Sequence, residues 1–148
     1  MRERSALTWI WIALGVQFAG YVFDAVWHGL IAPGVEPATV GAMIRHLATV
    51  HVPLYIGAAC VVVATVAALA RTPRRGIALP VASVGAVVSA GAEGWHAASH
   101  LRLDTHHAPV AGVLSFVGFL VVVVAMSLSS WAERRRAAAA TSDDRRVA

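Results

Sequence analysis

Residues 6–32 read ALTWIWIALGVQFAGYVFDAVWHGLIA, and this run decides the fold. A helix needs about 20 predominantly apolar residues to cross a bilayer. The run satisfies that length, and its only ionisable groups besides Tyr21 are Asp24 and His28, both toward its far end. It follows Arg2, Glu3 and Arg4. A basic start before an apolar run also describes a secretory leader, but this run is too long for a leader's core. Asp24, Trp27 and His28 also stand where a cleavage site needs small residues. The stretch is therefore read as a retained first membrane helix.

Outward from it, three further apolar runs reach membrane length, giving predicted spans at about 6–32, 47–70, 77–101 and 109–132. Pro33, Gly34 and Pro37 mark the first connector as turn-rich, and Ala38 to His51 is compatible with a helix. Pro53 is expected to kink the second span or to start it afresh. Arg71 to Gly76 forms the second connector, Asp104 to Ala108 the third, and Pro109 suits the first turn of the last helix. The charged, Ala-rich tail, 133–148, is expected to continue as a frayed helical extension and then lose order. The expectation is an all-α, integral membrane four-helix bundle.

Composition agrees. Of 148 residues, 58% are hydrophobic and only 14% charged, with a mean hydropathy of +0.68. Soluble domains carry roughly a quarter charged residues, so this chain cannot clothe a globular surface. Cys60 has no partner in its own chain, which excludes a disulfide scaffold and a cysteine-based zinc finger. The net charge of +4 comes from arginines that punctuate the apolar runs. Arg2, Arg4, Arg71, Arg74, Arg75, Arg134, Arg135, Arg136, Arg145 and Arg146 share one side of a four-span topology, while Arg45 and Arg102 lie on the other. The positive-inside rule then puts both termini in the cytoplasm of a multi-pass cell-membrane protein. Insertion explains these arginines, so nucleic acid is not an expected partner. The lipid bilayer is, with a larger membrane complex or a homo-oligomer as further options.

Seven histidines are the anomaly in so apolar a chain. His28, His46, His51, His96, His100, His106 and His107 all fall toward the extracytoplasmic ends of the predicted spans. Carboxylates join them. Asp24 and His28 lie about 40° apart on a helix turning roughly 100° per residue. Glu93, His96 and His100 share one helix face through i, i+3, i+7 spacing. His46 and His51 would stand about 140° apart on a regular helix, so His51 is favoured for the interior and His46 held as a substitute. Trp27-His28 and Trp95-His96 each follow an acid, and Thr49-Val50-His51-Val52-Pro53 is echoed by Thr105-His106-His107-Ala108-Pro109. The pattern suggests a duplicated helical hairpin whose halves face one another. The expected metal ligands are Asp24, His28, His51, Glu93, His96 and His107, with His46 and His100 as substitutes. His100 and His106 are open to supporting or merely exposed roles, and Asp104 to orienting a ligating histidine.

Asp24, His28 and His46 or His51 resemble the intramembrane copper site of the C subunit of particulate methane and ammonia monooxygenases. That family sets an Asp, a His four residues later and a further His on the next segment around copper. The resemblance spans some 28 residues and implies that such a set can hold copper inside a membrane. It does not imply methane or ammonia chemistry.

Ionisable groups inside a bilayer are costly and usually pair or face a cavity. Acid–histidine hydrogen bonding that merely ties helices together is the simplest reading, but convergence from four helices favours a transition-metal site. Imidazole suits copper, zinc or iron. The functions left open are a small membrane metalloenzyme (oxidoreductase or hydrolase) acting on an apolar substrate, a b-type haem electron-transfer protein, a non-catalytic metal-handling accessory subunit, and a metal-free pH-responsive cluster. Gln17 is expected to hydrogen-bond between helices and Cys60 to pack. Gly85 with Ser89, and Gly112 through Ser115 to Gly118, are expected to let helices approach closely.

Overall fold

The computed structural model describes residues 2–35, 37–71, 76–104 and 107–147. It is all-α, with no strand among the described residues. His106, Arg74 and Arg75 lie outside them. Helix α1 (Arg2–Val26) widens at its end into a π turn, Trp27–Ile31, closed by the Ala32 amide donating to the Trp27 carbonyl at 2.8 Å. The short helix α2 (Val40–His46) passes through a second π turn, Leu47–His51, into α3 (Val52–Arg71). Thr39 caps α2 by accepting from the Ala42 amide. Helices α4 (Ala78–Leu101) and α5 (Ala108–Val147) complete the chain. The helix of α5 continues through the segment expected to fray, where Ala137 to Ala140 supply strong helix formers.

The second π turn has a local cause. Pro53 has no N–H, and its ring would press on the carbonyl four residues earlier in a regular helix. Widening the preceding turn relieves that clash, and the Thr49 hydroxyl donates to the carbonyls of Arg45 (2.9 Å) and His46 (3.1 Å). The segment thus does not restart at Pro53: α2, the π turn and α3 follow without a break from Val40 to Arg71.

One apolar core draws on all four long helices, with Ile10 and Leu14 from α1, Val61 from α3, Ala82 from α4, and Val122 and Met126 from α5 all nearly or fully buried. Glycine sets two of the contacts. A Cβ on Gly57 would fall onto the Gln17 backbone, fusing α1 to α3 at van der Waals distance. At Gly118 a Cβ would come within 2.6 Å of the Ser89 amide nitrogen and 2.7 Å of the Gly85 carbonyl, so α4 and α5 approach backbone to backbone. The small residues expected to serve close approach do so at Gly85, Ser89 and Gly118; Gly112 instead faces the His96 ring, 3.8 Å from where its Cβ would be.

The outward faces are apolar. Val63, Val84 and Val113 are 68%, 65% and 66% exposed, and Cys60 is also exposed rather than packed inside. Three helical stretches are long and apolar enough to cross a membrane: Ala6–Ile31, Val40–Arg71 and Ala108–Arg135. α4, at 24 residues, is shorter and more polar, because Ser83, Ser89, Glu93, His96, Ser99 and His100 lie along it. All of these except His96 are buried, so its polarity faces the other helices.

Candidate metal centre

Asp24 at the end of α1, His28 in the π turn after it, His46 at the end of α2, His51 in the π turn before α3, and His96 and His100 at the end of α4 come together. His51 is the hub and is 1% exposed. Its ring centroid lies 5.1 Å from His46, 5.3 Å from His96, 5.6 Å from His100 and 5.7 Å from His28. Two trios, His28–His46–His51 and His51–His96–His100, each place one donor atom per residue within 4.8 Å of the others. A cavity of about 170 Å³ opens among Asp24, His28, His51, His96 and His100.

The π turn is what brings His46 in. An i→i+5 backbone pattern stacks residues five apart on one face, and the two Nε2 atoms approach to 3.3 Å. On α4, the i, i+4 pair His96 and His100 brings its Nε2 atoms to 3.0 Å. Two nitrogens bound to one tetrahedral ion at about 2.0–2.1 Å stand about 3.3 Å apart, so both separations suit ligands of a single ion.

Tautomers point the same way. His96 Nδ1 lies 2.9 Å from the Ala108 carbonyl oxygen. A carbonyl only accepts, so Nδ1 carries the proton and the Nε2 lone pair faces inward. Asp24 Oδ1 lies 3.0 Å from His51 Nδ1 and 3.7 Å from His28 Nε2. Neither the Asp24 oxygen nor His51 Nδ1 makes an aligned hydrogen bond, although both atoms are buried. His100 Nδ1 is likewise buried without a partner among the described residues. Buried polar atoms are normally paired; here those of Asp24, His51 and His100 belong to residues that line one cavity.

The other expected ligands stand elsewhere. Glu93 is 4% exposed, one turn deeper on α4, and belongs to neither histidine trio. It borders a separate cavity with Tyr55, whose ring stacks on His51 at 5.9 Å and 16°. His107 is largely exposed and pairs through Nδ1 with Asp104 Oδ2 at 2.6 Å, outside the cluster. Asp104 therefore orients His107, while His46 and His100 occupy inner positions. At the repeated Thr-x-His-x-Pro pattern the two halves differ: His51 is central and His107 peripheral.

Sequence reading passed over Tyr55, because an isolated tyrosine in an apolar run carries no signal until its neighbour is known. Of the buried network beneath the cluster it anticipates only the part of Gln17. Gln17 Nε2 donates to Ser89 Oγ at 2.8 Å, and Tyr21 Oη meets Ser115 Oγ at 2.6 Å, with the serines 3.2 Å apart. Gln17 does hydrogen-bond between helices, as expected, and the network ties α1, α4 and α5 under the site.

No protein family, curated protein or solved structure matches the chain.

Proposed function

We propose that the chain is an integral membrane protein, built as a four-helix bundle with both termini cytoplasmic, that holds a transition metal near its extracytoplasmic face. His28, His46, His51, His96 and His100 supply the donors, and Asp24 orients His51 or joins the coordination. The observation that carries this reading is the convergence of five imidazoles on one mostly buried point, with donor separations of 3.0–3.3 Å in the two closest pairs. The membrane part rests on the three long apolar helices, on the apolar outer faces, which soluble proteins rarely leave uncovered, and on the arginine distribution. α4 is the fourth span, its polar residues turned toward the other helices.

Copper, zinc and iron all suit imidazole donors, and the likeness to the monooxygenase copper site falls on four of the gathered residues. A compact ion fits better than haem: the rings meet at 4.5–6.4 Å between centroids around a cavity of about 170 Å³, which leaves no slot for a macrocycle. A bound ion with an open position would activate water or dioxygen for an apolar substrate; without one, the same site stores or delivers the metal.

Elemental analysis and visible absorption of metal-replete, detergent-purified protein test this reading. Copper, zinc or iron in about one copy per chain, without an intense Soret band, supports it. A Soret band would establish the haem alternative, and protein devoid of metal would leave a structural or proton-linked cluster.

A further inference from the structure

At the end of the bundle away from the histidines, a groove of about 510 Å³ runs between α1 and α3. Gly20 and Gly57, where a Cβ would fall onto the facing backbone, press these two helices together in the half that carries the histidines. Toward the other end Ala6, Ala13, Ala64, Ala67 and Ala68 line the groove, and their short side chains leave it unfilled. A single charged side chain lines it, Arg71 at the last residue of α3. Arg71 is exposed and makes no ion pair among the described residues. Trp9, also exposed, stands on the α1 side of the groove. A second groove of about 480 Å³ lies between α4 and α5, starting from Ile77 and Ala78 at the same end of the bundle. Its lining has no charged and no aromatic side chain.

We infer that the groove between α1 and α3 binds an anionic glycerophospholipid of the cytoplasmic leaflet, with one acyl chain along the alanines and the headgroup phosphate on Arg71. Length supports the acyl chain. From Ala59 to Arg71 the groove follows α3 for about 18 Å, at about 1.5 Å per residue. One leaflet is half of a hydrocarbon core of about 30 Å, so the groove reaches from the membrane surface to near the midplane. Arg71 and Trp9 then stand at headgroup level, where arginine and tryptophan belong. Charge supports the headgroup. A guanidinium pairs with phosphate through two parallel hydrogen bonds. A zwitterionic lipid brings its own cation to that phosphate, whereas a lipid of net negative charge leaves it to the arginine. Basic pockets between membrane helices on the cytoplasmic side suit such headgroups, and of the two grooves only this one has a cation in its lining. The inference rests on the membrane part of the proposed function and is independent of the metal.

The test is native mass spectrometry of the full chain released from vesicles of equal parts phosphatidylcholine and phosphatidylglycerol. Wild type should retain phosphatidylglycerol in preference to phosphatidylcholine. Arg71→Gln should reduce that preference about fivefold, the equivalent of about 1 kcal/mol for one arginine near an anionic headgroup. Cys60→Trp, at an exposed position that lines the deep end of the groove, should lower retention of both lipids with the arginine still in place. Helical circular dichroism should be unchanged in both variants. Equal retention of the two lipids by wild type, or a preference that Arg71→Gln leaves intact, overturns the site and leaves only unselective boundary lipid. Retention unaffected by Cys60→Trp overturns the placement of the acyl chain. A lipid-free dimer would put a second copy of the chain over the groove and overturn the lipid as its occupant. Protein that does not enter the vesicles defeats the membrane reading itself, whereas vesicle-borne protein without a lipid preference defeats the lipid site alone.

Discussion

His46 and His51 face each other through Nε2 atoms 3.3 Å apart, although five residues of helix separate them. A regular α-helix would turn them about 140° away from each other. The π turn Leu47–His51 narrows that difference, and Pro53 is the residue that makes the wider turn favourable. A structural device in the backbone thus creates a ligand pair, in keeping with the frequent occurrence of π bulges at functional sites.

His51 touches every other histidine of the cluster, so His51→Ala should reduce bound metal by about tenfold or more, read by elemental analysis after loading. His107→Ala should leave metal content unchanged, because His107 pairs with Asp104 outside the cluster. Equal losses from the two variants would contradict the assignment of the centre.

Asp24→Asn should weaken metal affinity by about 10–100-fold, the usual effect of removing a carboxylate that orients a ligating histidine. The measurement is competition against a chelator of known affinity. Far-ultraviolet circular dichroism should be unchanged, since no packing volume is lost.

These expectations separate what was legible in the sequence from what was not. Hydropathy located the helices, because a bilayer-length apolar run has few other solutions. The one-sided histidines and the i, i+4 spacing of His96 and His100 announced a cluster. His46 was assigned to a reserve role because side-chain periodicity assumes a regular α-helix, and the sequence contains no direct sign of an i→i+5 turn. Glu93 was aligned correctly with the inner face of α4, yet depth along the helix assigns it to the neighbouring cavity, which face geometry does not convey. His107 was judged by its likeness to His51, but the Asp104 three residues earlier captured its ring.

Metal retention should fall on acidification and recover on return to neutral pH. Only neutral imidazole ligates, so protons compete with the ion for each of the histidines, and release of protons on binding makes affinity rise with pH. Metal content after dialysis against buffers from about pH 7.5 to about pH 5, bracketing the ordinary histidine value near 6.5, checks this. Retention independent of pH would contradict histidine ligation.

Cys60 offers a check of the membrane reading. Its side chain is exposed on α3, so in an aqueous protein it would react readily with a water-soluble maleimide. In native membranes it should be inert, since lipid disfavours the reactive thiolate, and become labelled only after denaturation in detergent. Rapid labelling in intact membranes would contradict burial of this face in lipid.

Gly118→Leu should separate α4 from α5, because even a Cβ at this position meets backbone at 2.6–2.7 Å on the facing helix. A loss of about 1–3 kcal/mol, seen as a lower thermal midpoint, is expected. Gly15→Ala should be neutral or stabilising by up to about 1 kcal/mol, as a Cβ there meets nothing within 4 Å.

The most direct test of the centre is X-ray absorption at the metal edge of loaded wild-type protein. The account predicts three or more imidazole nitrogens at about 2.0–2.1 Å, with the characteristic outer-ring scattering of histidine, and loss of that signal in His51→Ala. A coordination sphere of oxygen alone, or an identical spectrum from His51→Ala, would contradict it.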